Sequence, residues 1–256
     1  VIHESAIIEP GASIGNNVQI GPWCYVGNDV EIGDGCVLHS HVVVKGPTKI
    51  GQQNEFYQFS SIGEDCQDKK YAGEKTELII GDHNVFRECV TVHRGTVQDE
   101  GKTIIGSHNL FMNYVHIAHD CVIGDHNIFA NNASTAGHVH VGDWVIMGGF
   151  AGAHQFCKIG SHSFAATGTL ILKDIPPFVM ASGFRAEPFG INTEGLKRRG
   201  FSKAQIQEIR RAYKTLYRKE LRVEEALAEL EPIAAEDENI AMFAEFIKQS
   251  NRGIIR

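Results

Sequence analysis

Ser13-Ile14-Gly15-Asn16-Asn17-Val18-Gln19-Ile20-Gly21-Pro22-Trp23-Cys24-Tyr25-Val26-Gly27 sets an apolar residue, followed by glycine, at every sixth position. The phase extends outward from this stretch. Counting in sixes from Ile2 gives Ile8, Ile14, Ile20, Val26, Ile32, Leu38, Val44, Ile50, Phe56 and Ile62. A second block supplies Ile80, Phe86 and Val92. A third runs from Ile105 through Phe111, Ile117, Ile123, Phe129, Thr135, Val141, Met147, Ala153, Ile159 and Ala165 to Ile171. Of these 26 slots only Thr135 is polar, whereas a chain that is 43% hydrophobic would by chance place polar residues at more than half of them. A six-residue unit has room for one short strand and one turn, with the slot side chain inward and glycine at the tight corner. Three units make one coil, and successive coils stack through parallel ladders about 4.8 Å apart. The reading is a parallel β-helix; an ordinary β-sandwich would not hold one phase for so many units.

The phase breaks twice. Asp68 and Glu74 fall where slots are due between Ile62 and Ile80, so a loop leaves the wall near 63–79. One extra residue, with the polar run Gln98-Asp99-Glu100, marks a second excursion near 93–104. Long loops on a rigid scaffold are where binding commonly resides. The repeat ends at Ile171, and Pro176-Pro177 closes a β-helical domain over 1–176. Residues 177–256 then read as a linker and a small α-helical domain. Ser202 and Gln205 form a capping-box pattern, and Ile206, Ile209, Tyr213, Leu216 and Tyr217 follow at helical spacing. Two further helices are expected around 223–230 and 240–248. Residues 196–222 hold ten Lys/Arg against two Glu, and 223–256 hold eight acids against three bases. The basic segment is either a solvated helix face or a dock for an acidic or phosphorylated partner.

Composition narrows the function. A formal charge of −7 argues against nucleic-acid binding. No apolar run is long enough for a membrane span, and no secretory signal pattern is visible. The six cysteines include no C-x-x-C pair, which suits reduced thiols in the cytoplasm rather than a zinc knuckle. Eight of the 13 histidines fall between His108 and His162. Within them His116-Ile117-Ala118-His119-Asp120 is the leading candidate site. His119 lies two positions past an inward slot and should face outward. One coil further on is Gly137, two coils further on is Gln155, and His138 and His154 adjoin them. That column brings an imidazole, a glycine N–H and an amide to one face, as a general base beside an oxyanion donor requires. Asp120 can fix the tautomer of His119. The pairs His39/His41, His138/His140 and His116/His119 offer metal ligation as the rival reading.

Several runs resemble one family. They are Tyr57-Gln58-Phe59, Gln67-Asp68-Lys69-Lys70-Tyr71, His93-Arg94-Gly95-Thr96-Val97, His116 to Asp120, Asn131-Asn132, Ala136-Gly137-His138-Val139, His154-Gln155-Phe156-Cys157, Gly195-Leu196-Lys197-Arg198-Arg199-Gly200-Phe201 and the closing Arg252 to Arg256. All are similar to the UDP-N-acetylglucosamine O-acyltransferases of lipid A biosynthesis. The resemblance implies a left-handed coil of triangular section. It also implies transfer of a 3-hydroxyacyl group from acyl carrier protein to the 3-hydroxyl of UDP-N-acetylglucosamine, in the cytoplasm, by a homotrimer with sites between subunits. His119 would be the base, Asp120 its orienting residue and Gly137 the oxyanion donor. His116, His138, His154, Gln155, Gln67, Asp68 and Lys70 would contact substrate, and Asn192, Glu194, Arg198 and Arg199 would reach the nucleotide. Thr167 falls where the family sets acyl-chain length, and its bulk suggests a shorter chain. Neither a metal nor another cofactor is implied, and the acyl group arrives on phosphopantetheine. Three other readings are a β-helical carbonic-anhydrase-like lyase, whose kind lacks a helical domain like 196–256, a non-catalytic scaffold, which a fully functional His119→Ala variant would support, and the later N-acyltransferase of the same pathway, whose kind carries an extra N-terminal domain.

Overall fold

The computed structural model describes all 256 residues. Strands of mostly two residues stack into three walls of nine, eight and ten strands, parallel except for the last strand of the third, and up to Leu170–Ile171 every third strand returns to the same wall. The first wall includes strands His116–Ile117 and Ser134–Thr135, the second Val122–Ile123 and His140–Val141, and the third Ile128–Phe129 and Ile146–Met147. The slots set the register, Ile117 pairing with Thr135 and Thr135 with Ala153. Away from the first coil they are buried, and the single polar slot, Thr135, is fully buried too. Phe56, Phe86, Phe111 and Phe129 stack inside the third wall with ring centroids 4.8, 4.8 and 5.1 Å apart, the rise from one coil to the next. Beside them a buried ladder of Asn54, Asn84 and Asn109 is bonded amide to amide at 3.0 Å, satisfying polar groups that would otherwise be stranded in the core.

The glycines that follow the slots act differently from expectation. Gly15, Gly33 and Gly124 are not in the left-handed region. Any Cβ there would press on the next coil, as at Gly33, where it would meet the Gly51 carbonyl oxygen at 2.5 Å. The turn itself is made two residues later, by Asn17 after Gly15, Asp29 after Gly27 and His126 after Gly124 at φ of 57–58°, and by a second glycine, Gly35, after Gly33. Glycine is therefore required here for close approach between coils, while the left-handed corner is taken by other residues.

Both excursions preserve the register. Ile80 pairs with Ile50 below and with Ile105 above, so loops 65–76 and 94–101 leave the stack and re-enter in phase. Both depart from the edge between the first and second walls.

The third wall runs on past the expected boundary at 176. Strand Val179–Ser182 adds to the third wall parallel to Phe164–Ala165, and Glu187–Ile191 then pairs with it antiparallel. The wall thus continues through the segment read as a linker. Helices α1 (Thr193–Arg198), α2 (Lys203–Arg218), α3 (Val223–Ala234) and α4 (Glu238–Lys248) follow. The Ser202–Gln205 capping box is present, and Ile206, Ile209, Tyr213 and Leu216 form the buried face of α2. The tail returns to the solenoid, where Asp174 accepts from Ser250 Oγ at 2.6 Å and from Lys158 N at 2.8 Å. One hydrophobic core runs through both parts, so the helices cover the open end of the β-helix.

Candidate active site

His119 and Asp120 form the corner between strands His116–Ile117 and Val122–Ile123, with Asp120 in the left-handed conformation at φ 58°. That conformation turns its carboxylate back toward the preceding imidazole. His119 Nδ1 lies 2.8 Å from Asp120 Oδ2. A carboxylate there fixes the proton on Nδ1 and leaves Nε2 as the working nitrogen. Asp120 is itself pinned: Thr96 donates to it from its backbone N at 2.7 Å and from Oγ1 at 2.6 Å. Its own N–H reaches Thr103 Oγ1 at 2.8 Å. Burial pushes the Asp120 carboxyl up, but the hydrogen bonds from His119 and Thr96 outweigh it and hold the group below the usual carboxylate range.

Gly137 stands one coil above. A Cβ at this position would lie 2.5 Å from His119 Nε2, so the imidazole fits only because residue 137 has no side chain. The Gly137 N–H is engaged by no backbone carbonyl. A free N–H beside a free imidazole nitrogen is the pairing required for deprotonating a nucleophile and stabilising an oxyanion.

Other predicted residues gather on the same edge. His138 stands edge-on to His119 with ring centroids 5.1 Å apart and stacks on Phe156 at 4.4 Å. His116 accepts from or donates to Thr91 Oγ1 at 2.8 Å. Burial, reinforced by His93 and His119, lowers its pKa to about 4, so it is a neutral hydrogen-bonding group near neutral pH. Gln155 and His154 lie exposed further along the column, His154 with Arg252 at 3.3 Å. Gln67, Asp68 and Lys70 belong to loop 65–76, where Asp68 Oδ1 accepts from Lys70 N at 2.9 Å. Buried Arg94 ties that loop to the second one by donating to the Gly63 carbonyl, to Asp65 and, at 3.2 Å, to Tyr71.

His119 differs from expectation in one respect. It points away from the core yet is only 9% exposed, because loop 94–101 closes over the corner. Thr96 and Asp99 of that loop are contacts that the repeat phase does not reveal. His119, Asp120 and His138 offer three metal-ligand atoms within 4.8 Å. His119 Nδ1 and Asp120 Oδ2 are already hydrogen-bonded to each other, and a cation held by both would break the pair that orients the imidazole.

The remaining residues lie elsewhere in this chain. Asn192 caps α1, accepting from Gly195 N at 3.1 Å and donating to the His162 carbonyl at 3.0 Å. With Glu194, Arg198 and Arg199 it borders a groove of about 430 Å³ against His126 and Trp144, at the edge between the second and third walls. Arg199 lies over the Trp144 ring at 5.8 Å, and its Nε and Nη2 are buried without a partner. Thr167 is exposed at the edge between the third and first walls. One chain therefore distributes the predicted site over three edges of a triangular prism.

Coil, corner imidazole and opposed glycine together define a hexapeptide-repeat transferase. The family model for bacterial transferase hexapeptide repeats matches residues 11–46 and 102–137, and that for domain 2 of UDP-N-acetylglucosamine O-acyltransferase matches 174–255. The chain is 56% identical over 256 residues to the acyl-[acyl-carrier-protein]–UDP-N-acetylglucosamine O-acyltransferase of Stutzerimonas stutzeri, covering 100% of this chain and 99% of the relative. The solved Acinetobacter baumannii LpxA superposes with a TM-score of 0.97 at 54% identity, covering 100% and 99% of the two chains. The Arabidopsis UDP-N-acetylglucosamine acyltransferase does so at 0.87 and 36%, covering 100% of both. The chain belongs to the UDP-N-acetylglucosamine O-acyltransferase family.

Proposed function

We propose that this chain moves a 3-hydroxyacyl group from the phosphopantetheine thioester of acyl carrier protein to the 3-hydroxyl of UDP-N-acetylglucosamine, the first step of lipid A biosynthesis. The observation that carries the reading is the His119–Asp120 pair lying directly beneath Gly137. His119 Nε2 takes the proton of the sugar hydroxyl as its oxygen attacks the thioester carbonyl. Asp120 keeps the opposite nitrogen protonated and stabilises the imidazolium that forms. The developing oxyanion accepts from the Gly137 N–H. The tetrahedral intermediate then collapses, the carbon–sulfur bond breaks, and His119 returns the proton to the departing thiolate. Such a base contributes about 10²–10⁴-fold, and one oxyanion donor about 10²–10³-fold. These steps need neither metal nor cofactor.

His116, His138, His154, Gln155, Gln67, Asp68 and Lys70 surround the sugar nucleotide and the acyl chain in this reading. The unpaired guanidinium of Arg199 supports recognition of an anionic ligand such as the nucleotide, with Asn192, Glu194 and Arg198 beside it. Because the site residues occupy three edges, the reading includes a homotrimer in which the His119 edge of one subunit faces the Thr167 and Arg199 surfaces of a neighbour. Arg210, Lys214 and Arg218 line a groove of about 480 Å³ beside exposed Phe189, which suits an acidic carrier protein. The six free thiols suit a reducing cytoplasm, and no helix is long and apolar enough to cross a membrane.

The deciding experiment presents 3-hydroxyacyl carrier proteins of several chain lengths with UDP-N-acetylglucosamine and identifies the product by mass spectrometry, with His119→Ala as control. Absence of an acylated sugar nucleotide from the wild type would refute the reading. Sedimentation at a mass other than three times the 28.2 kDa of one chain would refute the trimer.

A further inference from the structure

The two imidazoles above and below the coil boundary each face a carboxylate through Nδ1. His119 meets Asp120 at 2.8 Å, and His138 meets Asp99 at 2.8 Å. The second pair joins a corner residue of the coil to loop 94–101 across 39 positions of sequence. Apart from that pair, the His138 ring stacks on Phe156, inclined by 10°, and meets His119 edge-on, contacts that fix its plane and leave its choice of protonated nitrogen open. Its far nitrogen, Nε2, lies 3.8 Å from Asp120 Oδ2, the same oxygen that orients His119.

We infer that Asp99 is a positioning residue for the acyl transfer proposed above: it keeps the neutral His138 proton on Nδ1 and so prevents His138 from competing with His119 for Asp120. The chemistry is explicit. A neutral imidazole carries one proton, and an isolated ring favours Nε2 for it. With Asp99 accepting at Nδ1, Nε2 holds a lone pair, which Asp120 repels and a substrate hydroxyl can use as an acceptor. Without Asp99 the proton returns to Nε2, and a small tilt lets it donate to Asp120 Oδ2. That oxygen already accepts from His119 and from Thr96 Oγ1 at 2.6 Å. A third donor weakens the bond that sets the orientation of the base. Loop 94–101 therefore acts on both rings, through Thr96 on one carboxylate and through Asp99 on the neighbouring imidazole.

The inference rests on the acyltransferase reading for its kinetic consequence but not for its spectroscopic one. Histidine-labelled wild type, Asp99→Asn and Asp99→Ala proteins are compared by long-range proton–nitrogen correlation spectra, which report which ring nitrogen is protonated. The asparagine carbonyl can still accept from Nδ1, whereas alanine cannot. Expected is an Nδ1–H tautomer for His138 in the wild type and Asp99→Asn, and an Nε2–H tautomer in Asp99→Ala with the His119 signals displaced. Transfer should slow about tenfold in Asp99→Ala, the loss expected on weakening one charge-assisted hydrogen bond that orients the base, and about twofold or less in Asp99→Asn. An unchanged His138 tautomer in Asp99→Ala, or an Asp99→Asn protein as slow as Asp99→Ala, overturns the inference. Wild-type protein without transfer activity would sink the enzymatic reading and leave the tautomer result to be judged alone.

Discussion

Replacing Gly137 with alanine puts a methyl carbon 2.4 Å from Cε1 and 2.5 Å from Nε2 of His119, where ordinary contact begins at 3.4 Å. The imidazole has to retreat by about 1 Å, and a misplacement of that size costs roughly 100-fold in rate. Part of the retreat is taken from the 2.8 Å bond to Asp120, so the base loses its orientation along with its position. The loss corresponds to about 2.7 kcal/mol of transition-state stabilisation. Folding is affected far less, because the obstructed group is the end of a side chain at the rim of the coil. Gly124→Ala is the matched control. Its Cβ would meet Asp143 Oδ1 at 2.2 Å and the Gly142 carbonyl carbon at 2.9 Å, crowding the next coil away from His119. The assay measures kcat/KM for transfer from a 3-hydroxyacyl carrier protein alongside thermal unfolding of each variant. Gly137→Ala should lose activity and keep its Tm, whereas Gly124→Ala should lose Tm and keep its activity per folded molecule. A Gly137→Ala enzyme retaining more than about a third of wild-type kcat/KM would show that the glycine is not the seat of the base.

Three further outcomes follow from the same geometry. Thr96→Val removes the 2.6 Å hydroxyl bond to Asp120 while keeping the backbone one, and should lower kcat about tenfold without changing secondary structure by circular dichroism. His116 and His162 are depressed from 6.5 to about 4, in both cases chiefly by burial, so between these values the unfolded chain binds more protons than the folded one. Stability is then complete above pH 6.5 and falls as the pH drops toward 4; thermal melts should show this slope, and it should flatten in a His116→Gln, His162→Gln double variant. Thr167→Gly should move acyl-chain preference toward longer donors in a competition assay, and an unchanged preference would remove residue 167 from the length-setting role.

The wall was legible because one inward side chain per six residues is a demand of packing that few other folds make. The same arithmetic placed Gly137 over His119, since stacking depends only on coil length. The corner chemistry was less legible. Glycine after the slot looked like the turn residue, whereas inter-coil crowding requires it and Asn17, Asp29 or His126 makes the turn. Thr96 and Asp99 were hidden because they lie in the segment where phase is lost, and their contacts are set by how the loop folds back. Strands Val179–Ser182 and Glu187–Ile191 carry Gly183, Pro188 and Gly190 in or between them, which mask a strand pattern. The six-residue α1 is too short to show periodicity. The separation of Asn192 and Arg199 from His119 was invisible for a different reason: both lie beyond Ile171, the last slot, where coil arithmetic stops, whereas Thr167 follows slot Ala165 and the same arithmetic already sets it on another edge.

The in-phase return of both loops has a consequence for how such a protein can change. Ile80 meets Ile50 and Ile105 as though nothing had intervened, so the stack is indifferent to what is spliced in at that edge. Loop 65–76 can vary in length and composition without disturbing the stacking of His119 beneath Gly137, provided that Asp65 and Tyr71 still meet the buried Arg94 of the second loop. New substrate preferences can therefore be tried one graft at a time, with the reacting groups held fixed. Loop 94–101 lacks that freedom, because Thr96 reaches back to Asp120 and Asp99 to His138. Two insertions on the same edge thus stand under opposite constraints, one open to variation and the other tied to the chemistry.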